Sequence, residues 1–88
     1  MPTPFKYHQD PGHGWLEVTT DDIKEVGLTP AAFTSYTYVN GGTFFLEEDC
    51  DMALFLQAYS TWKGEVAPMV SVYHEANCFC RAYSRCSG

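Results

Sequence analysis

The chain has 88 residues, of which 45% are hydrophobic and 16% aromatic, and its 11 acidic and 5 basic residues give a formal net charge of −6 at pH 7. This length predicts a single domain over residues 1–88, and the apolar content is sufficient for a packed core, which excludes a disordered chain. No apolar run approaches the roughly 18 residues of a membrane span, and the first residues lack the pattern of a secretion signal. We therefore expect a cytoplasmic protein without membrane contact.

The acidic residues are concentrated in the first part of the chain. Nine acids and a single base, Lys24, lie between Asp10 and Asp51, whereas Lys63 and both arginines follow later. This balance disfavours direct binding to nucleic acid, because phosphates need cationic partners. It favours a partner protein with a basic surface. The simpler interpretation is that the acids cap helices and keep a small protein in solution.

The N-terminal part predicts an extended segment, a turn and a strand. Met1–Tyr7 contains two prolines and is expected to be an extended lead-in. His8–Gly14 predicts a tight turn, because Asp-Pro-Gly favours turn formation. Trp15–Val18 then alternates as a short strand does, with Leu16 and Val18 as the inward-facing pair.

A short helix is predicted over residues 20–27. Thr20 is expected to be its N-cap, and Gly27 is expected to end it. Ile23 gives this helix an apolar side. Thr29-Pro30 predicts a further helical turn, because proline is favoured at the first helical position.

A hairpin is predicted between Tyr36–Val39 and Thr43–Leu46. Both segments are rich in aromatic and β-branched residues, and Asn40-Gly41 lies between them. Asn-Gly is a strong hairpin signal, because both residues tolerate a positive φ. The hairpin leads directly into an acidic turn and the long helix.

The long helix is predicted over Asp49–Trp62, and the rest of the fold is expected to pack against it. Its apolar residues recur at the helical period. They are Met52, Phe55, Leu56, Tyr59 and Trp62. Asp49 is expected to be the N-cap and Gly64 the left-handed terminator.

The C-terminal part predicts two paired strands and a tail. Met69–His74 and Cys78–Tyr83 are expected to be partner strands, and Ser84–Gly88 a loose tail. The order of elements predicts an α+β fold, in which the long helix 49–62 and the short helix 20–27 pack on one face of an antiparallel four- to five-stranded sheet.

Cys50, Cys78, Cys80 and Cys86 are expected to be reduced, since no secretion signal indicates an oxidising compartment. On a strand, Cys78 and Cys80 would share a face. This Cys-x-Cys pair, with Cys86 and a histidine, could bind zinc, but the usual longer spacing between paired cysteines is absent. We therefore predict no tightly bound metal, no cofactor and no stable disulfide.

His8, Asp10 and His13 form an alternative candidate site. Two imidazoles and a carboxylate are a reasonable ligand set for zinc or iron, and would suit a small metal-binding module or metal-dependent enzyme. The simpler interpretation is a tight turn, in which the histidines hydrogen-bond to the backbone. No Gly-x-Ser-x-Gly, phosphate-loop or His-Glu-x-x-His motif is found.

The acidic turn before the long helix is the main candidate interaction surface. Its carboxylates could bind a hard cation, but the spacing of an EF-hand loop is missing and helix capping explains them. Tyrosines on the outer face of the sheet would give a partner its anchors, although cross-strand pairing also explains them. The predicted interaction residues are Glu47, Glu48, Asp49, Asp51, Asp21, Asp22, Glu25, Tyr36 and Tyr38.

Three segments, His8–Val18, Tyr36–Tyr38 and Phe45–Asp51, resemble a group of short uncharacterised proteins of bacterial phages, plasmids and other mobile elements. The resemblance covers roughly residues 7–56, whereas the part from Trp62 onward is not typical of that group. It implies a mobile-element setting, in which small acidic proteins often bind host or defence proteins, as anti-CRISPR and anti-restriction proteins do.

We therefore expect a non-enzymatic interaction protein encoded by a phage or mobile element. It would inhibit a host defence or nucleic-acid-handling complex by binding a protein with a basic surface. Direct binding to nucleic acid is not expected. The sequence pattern predicts no particular oligomeric state.

Overall fold

The computed structural model describes residues 4–76 and 78–86 and has an α+β architecture. Its strands are β1 (Phe5–Gln9), β2 (Gly14–Thr19), β3 (Tyr38–Asn40), β4 (Thr43–Glu47), β5 (Met69–Tyr73) and β6 (Ser84–Arg85). Its helices are α1 (Thr20–Glu25) and α2 (Asp51–Lys63), and short 3₁₀ helices span Pro30–Ala32 and Phe79–Ala82. No helix within the described ranges is long and apolar enough to cross a membrane.

The six strands form one mixed sheet in the order β5-β1-β2-β4-β3-β6. β1 and β5 run parallel, with Phe5 opposite Met69 and Gln9 opposite Tyr73, and the other neighbours are antiparallel. The α+β class is therefore confirmed. The prediction of an antiparallel sheet of four or five strands is only approximately correct, since there are six strands and one pair is parallel. The long crossover that contains α2 makes this parallel pairing possible.

β1 lies where an extended lead-in and the start of a turn were predicted. Prolines disfavour sheet positions, but the prolines of this segment precede Phe5. Residues 5–9 pair on both sides, with β2 and with β5. The turn is therefore shorter than predicted, and it is closed by a hydrogen bond from the Asp10 N–H to the His13 carbonyl at 2.9 Å. Met1–Thr3 of the predicted lead-in lie outside the described residues.

Both helices contribute to one hydrophobic core on one face of the sheet. Phe55 of α2, Ile23 of α1, and Leu16 and Leu46 of the sheet are fully buried in it. The predicted inward orientation of Leu16 and the burial of the middle of the long helix are confirmed. Trp62, in the last turn of α2 and predicted to lie on the same apolar stripe, is 46% exposed.

The N-cap of α1 is Thr19 rather than Thr20. The Thr19 hydroxyl accepts the Asp22 N–H at 3.1 Å, and the Asp22 carboxylate accepts the Thr19 N–H at 2.8 Å. This reciprocal pair is a capping box, which two adjacent threonines allow in either register. The helix ends at Glu25, before Gly27.

α2 begins two residues later than predicted, at Asp51, and Cys50 occupies the N-cap position without a side-chain capping bond. The expected Asp49 cap is therefore wrong. The C-terminus is as predicted: Gly64 has a φ of 75°, and its N–H donates to the Ser60 carbonyl at 2.8 Å.

The predicted hairpin is present, but its turn is shifted by one residue. Asn40 pairs with Thr43, so that Gly41 and Gly42 form the two-residue turn. Gly41 has a φ of 61°, and Asn40 has no positive φ. β3 begins only at Tyr38, because the preceding residues form a loop held by Asp51.

The C-terminal segment differs most from the prediction. The residues expected to form the strand Cys78–Tyr83 turn into a 3₁₀ helix, in which the Arg81 N–H donates to the Cys78 carbonyl at 3.1 Å. Part of the expected loose tail, Ser84–Arg85, is strand β6 and pairs with β3. Asn77, Ser87 and Gly88 lie outside the described residues.

A second, smaller core lies on the face of the sheet opposite the helices. Trp15 and Phe45 are buried there, and the 3₁₀ segment covers them with Cys78 and Cys80. Because side chains alternate along a strand, Trp15 points to the face opposite that of Leu16, as predicted. This second face carries both candidate sites.

Candidate interaction groove and histidine–cysteine cluster

A groove of about 440 Å³ lies on the second face of the sheet. It is formed where the ends of β2, β3 and β4 meet the C-terminal 3₁₀ helix and β6. The residues that line this interaction groove are His13, Trp15, Tyr36, Tyr38, Glu47, Asp49, Cys50, Arg81 and Arg85. Four of the nine predicted interaction residues are among them. The groove therefore brings Tyr36 and Tyr38, before and at the start of β3, together with Glu47 and Asp49, at and after the end of β4.

The strand register explains why these side chains converge. Trp15 pairs with Glu47, and Tyr38 pairs with Arg85, so that all four project from the same face of the sheet. Tyr36 lies in the loop before β3 and is 63% exposed. The exposed ring of Tyr36 is the most accessible aromatic surface of the groove.

Two arginines lie against aromatic rings in the wall of the groove. The Arg81 guanidinium carbon is 4.9 Å from the centroid of the Trp15 ring, and that of Arg85 is 5.3 Å from the Tyr38 ring. Arg85 Nη1 also donates to the Ser35 carbonyl at 3.2 Å. Both cations are thus engaged within the protein, by cation–π contacts and hydrogen bonds.

Asp10 is buried beside the groove and holds Arg81 in place. Its carboxylate accepts the N–H groups of Gly12, His13 and Cys78, each at 2.9 Å. Arg81 donates to both carboxylate oxygens. The guanidinium, with these N–H groups, holds the pKa of the Asp10 carboxyl well below its usual range. Asp10 therefore joins the β1–β2 turn to the C-terminal 3₁₀ helix.

Two of the predicted interaction residues have structural roles. Asp51 is buried, and it accepts hydrogen bonds from the Thr34 N–H at 3.0 Å, from the Thr34 hydroxyl at 2.9 Å and from the Thr37 hydroxyl. Glu47 is also buried, and its carboxylate accepts the Cys50 N–H at 3.3 Å. These carboxylates hold the loop before β3 and the start of α2.

Glu48 and Asp49 are the acids of this turn that reach the surface. Glu48 is partly buried and accepts the Tyr7 hydroxyl at 2.9 Å. Burial, and to a smaller extent this hydrogen bond, raises the pKa of Tyr7 to about 12. Asp49 is exposed and lines the groove.

The acids of α1 lie apart from the groove. Asp22 and Glu25 line a different cavity of about 270 Å³, together with Trp62 and Lys63 at the C-terminal end of α2. Asp21 is exposed on the same short helix. Helix α2 has 13 residues and is therefore about 20 Å long. The predicted acidic residues are thus divided between its two ends, with the acids of residues 47–51 at one end and the acids of α1 at the other.

The structure does not assemble the predicted site of His8, Asp10 and His13. The Asp10 oxygens are occupied by Arg81 and by backbone N–H groups. The His13 side chain is 53% exposed and lies 3.9 Å from Glu48. Of these three residues, only His8 belongs to a cluster of metal-ligating groups.

That cluster consists of His8, His74 and Cys78. Among residues 4–76 and 78–86, it is the one group of at least three His, Cys, Asp or Glu side chains whose ligand atoms all lie within 4.8 Å of one another. His8 Nδ1 is 3.0 Å from His74 Nε2, and His8 Nε2 is 2.7 Å from a Glu17 carboxylate oxygen. His74 was not among the predicted site residues, because its contact with His8 depends on the parallel pairing of β1 with β5.

Arg81, Arg85 and Trp15 line the groove but were not predicted as interaction residues. The alternation of β2 placed Trp15 on the face away from Leu16, which was the one available signal. Arg81 reaches the groove from the 3₁₀ helix and Arg85 from strand β6, and neither element was predicted. Comparison of the chain with models of protein families, with curated proteins and with solved structures found no match.

Proposed function

We propose that the protein is a small, non-enzymatic interaction domain that binds a basic partner protein through the interaction groove. In this proposal it is encoded by a phage or mobile element, acts in the host cytoplasm, and inhibits a host defence or nucleic-acid-handling complex. The single observation that carries the proposal is the convergence of Tyr36, Tyr38, Glu47 and Asp49 on one concave surface.

The chemistry of the groove suits a protein segment better than a nucleic acid. Exposed aromatic surface at Tyr36 offers an anchor, and Asp49 at the rim offers an ion-pair partner for a lysine or arginine. Arg81 is neutralised by Asp10, so it adds little free positive charge for a phosphate. The net charge of −6 would also repel nucleic acid and steer a basic protein toward the domain.

The size of the groove limits what it can contribute. A stable protein interface usually buries about 800 Å² on each partner, which is more than one such groove provides. We therefore assign to the groove the central anchor residues, and to the surrounding acidic surface the rim of the interface. The rim would contribute mainly to the association rate.

A binding role fits the titratable groups better than catalysis does. Catalytic acids and bases usually combine a shifted pKa with access to a cleft. The carboxyl with the largest shift, Asp10, is buried and fully occupied by hydrogen bonds. Within the part of the chain that the structure describes, every buried side-chain nitrogen and oxygen has a hydrogen-bond partner.

The alternative function, a metal-binding module or metal-dependent enzyme on His8, Asp10 and His13, loses its ligand set in the structure. Asp10 is held by Arg81, and His13 points to the groove. A metal function therefore requires other residues.

The proposal is tested by capture of a partner from host lysate, followed by titration of the identified partner at several salt concentrations. The variants Tyr36→Ala and Asp49→Lys alter the groove without removing a buried group. Asp21→Lys is the matched control, because Asp21 is exposed, lies on α1 and undergoes the same change of charge.

We expect each groove variant to weaken binding about tenfold or more, and Asp21→Lys to have a much smaller effect. Binding should also weaken as the salt concentration rises, since exposed charges are screened. The proposal is wrong if no partner is captured, or if both groove variants bind as the wild type does. An equal loss in Asp21→Lys would show that total charge matters rather than the groove.

A further inference from the structure

The cluster of His8, His74 and Cys78 has no role in the proposed binding function. His8 comes from β1, His74 follows β5, and Cys78 precedes the C-terminal 3₁₀ helix. The parallel pairing of β1 and β5 brings the two histidines side by side, and the His74 N–H donates to the Gln9 carbonyl at 2.7 Å. Two parts of the chain that are far apart in the sequence, one with His8 and one with His74 and Cys78, thus place two imidazoles and a thiol together.

The hydrogen bonds of His8 leave one of its nitrogens available as a ligand. His8 Nε2 lies 2.7 Å from Glu17 Oε1, and a carboxylate can only accept, so Nε2 carries the proton. In the neutral ring, Nδ1 then presents a lone pair toward His74 Nε2 at 3.0 Å. This lone pair is buried with His8. It accepts either a proton from His74 or a metal ion.

The carboxylate beside His8 has the arrangement of a metal site. Histidines that bind metals usually donate their second ring nitrogen to a carboxylate or carbonyl, which fixes the ring and makes it more basic. Glu17, on the neighbouring strand β2, occupies that position for His8.

The thiol of Cys78 also has a supporting partner. Cys80 Sγ donates to Cys78 Sγ at 3.1 Å, and both side chains are buried. A donor at this position suits Cys78 as a thiolate, because a thiolate accepts hydrogen bonds.

The spacing of the ligand atoms fits zinc. Zn–N bonds of about 2.0–2.1 Å in a tetrahedral site place two nitrogens about 3.3 Å apart. His8 Nδ1 and His74 Nε2 are 3.0 Å apart, and one nitrogen of each ring lies within 4.8 Å of the thiol sulfur. Nitrogen and sulfur donors favour zinc over magnesium or calcium, which prefer oxygen.

We propose that the protein binds one Zn²⁺ ion through His8 Nδ1, His74 Nε2 and Cys78 Sγ. Glu17 orients His8, and Cys80 donates a hydrogen bond to the Cys78 thiolate. Binding displaces the proton of the Cys78 thiol and moves the His74 ring proton from Nε2 to Nδ1, so that both imidazoles bind as neutral rings. Three protein ligands leave the fourth tetrahedral position to water or to a small external ligand. This site, if occupied, overturns the sequence-based prediction that no metal is bound.

The surroundings of the cluster suit a bound ion. The ring of Phe79 contacts both histidines edge-on, with centroid distances of 5.3 Å and 5.7 Å. An apolar cover lowers the local dielectric and strengthens the metal–ligand interaction. The ion would join β1 to the segment that carries Arg81, and would therefore also stabilise one wall of the interaction groove.

The test uses the full chain, purified under reducing conditions and freed of metal with a chelator. It is titrated with Co²⁺ and with Zn²⁺ alone. Cobalt reports tetrahedral geometry and thiolate ligation through its absorption spectrum, and elemental analysis after gel filtration gives the zinc content. Thermal unfolding with and without zinc gives an independent readout.

The wild type should bind one equivalent of zinc, show the cobalt–thiolate absorption band and unfold at a higher temperature with zinc. His74→Ala and Cys78→Ser should lose the bound zinc on gel filtration, and Cys78→Ser should lose the thiolate band. Glu17→Gln should weaken zinc binding about 10- to 100-fold. His13→Ala and Cys50→Ser are controls, because both residues are exposed and outside the cluster.

The proposal is wrong if the wild type retains no zinc, or if His74→Ala and Cys78→Ser retain as much as the wild type. A loss confined to His13→Ala or Cys50→Ser would show adventitious binding at the surface and would equally overturn it. His74 is partly exposed, so His74→Ala should still fold if the buried Cys78→Ser variant does not. Circular dichroism of the metal-free variants checks this.

Discussion

Arg81 binds Asp10 through two hydrogen bonds, from Nε to Oδ2 at 2.7 Å and from Nη2 to Oδ1 at 3.0 Å. The pair joins the turn after β1 to the C-terminal 3₁₀ helix, although the two residues are far apart in the sequence. It also keeps the Arg81 guanidinium against the Trp15 ring. One ion pair thus determines the shape of the groove and the position of the segment that follows Cys78.

Asp10→Asn should destabilise the protein by about 2–3 kcal/mol, because the asparagine side chain has one acceptor oxygen where the carboxylate has two. The value lies at the low end for a buried ion pair, since the Arg81 side chain is 30% exposed. Urea unfolding followed by tryptophan fluorescence measures the change. Asp21→Asn, at an exposed acid, should change the stability by less than about 0.5 kcal/mol. Equal stabilities of the two variants would contradict the structural role of Asp10.

The depressed pKa of Asp10 predicts a loss of stability in acid. A carboxyl whose pKa is lower in the folded state stabilises the fold above its unfolded pKa of about 3.9, and this contribution is lost as the pH falls below that value. The free energy of unfolding of the wild type should therefore decrease more steeply than that of Asp10→Asn as the pH is lowered from about 5. Parallel decreases in the two proteins would show that other carboxyls are responsible.

Asp51 and Asp49 should respond in opposite ways to the same substitution. Asp51→Asn should destabilise the fold by about 2–3 kcal/mol, because the carboxylate accepts hydrogen bonds from Thr34 and Thr37. Asp49→Asn should leave stability almost unchanged, since Asp49 is exposed, but should weaken capture of the partner. Thermal unfolding and the binding titration measure the two effects. The division of roles is wrong if Asp51→Asn is as stable as the wild type.

Gly14→Ala should destabilise the protein through Tyr7. A Cβ on Gly14 would lie 2.7 Å from Tyr7 Cζ, so the ring must move and lose its hydrogen bond to Glu48. Overpacking of this kind costs about 1–3 kcal/mol. In a Tyr7→Leu background the same substitution should cost clearly less, because the obstructing ring is absent. A double-mutant cycle from urea unfolding measures the coupling, and additive effects would contradict this account.

The sequence predicted the elements that depend on local pattern. The alternation of residues in Trp15–Val18 predicted both the strand and the face that points to the core. The helical spacing of apolar residues predicted that Phe55 and Tyr59 would be buried. The left-handed Gly64 was also predicted, because few other residues adopt that conformation. These features arise from backbone sterics and from burial on one face, which a short window of sequence contains.

The elements that depend on long-range pairing were not predicted. The sequence of β1 follows two prolines and does not itself indicate a strand, because the strand is defined by its pairing with β2 and β5. The alternating segment Cys78–Tyr83 suits a strand by pattern, but Asp10 binds the Cys78 N–H and Arg81 and holds the segment as a 3₁₀ helix. The two candidate sites depend on these contacts, so a window of sequence did not reveal their composition.

The order of strands in the sheet has a consequence for synthesis on the ribosome. The four central strands, β1 to β4, come from residues 5–47, whereas the two edge strands, β5 and β6, lie after residue 68. The outer edges of β1 and β3 therefore stay unpaired until nearly the whole chain has emerged. Open edges with unpaired N–H and carbonyl groups favour aggregation, so chains that terminate before β5 should be prone to associate with one another or to be degraded.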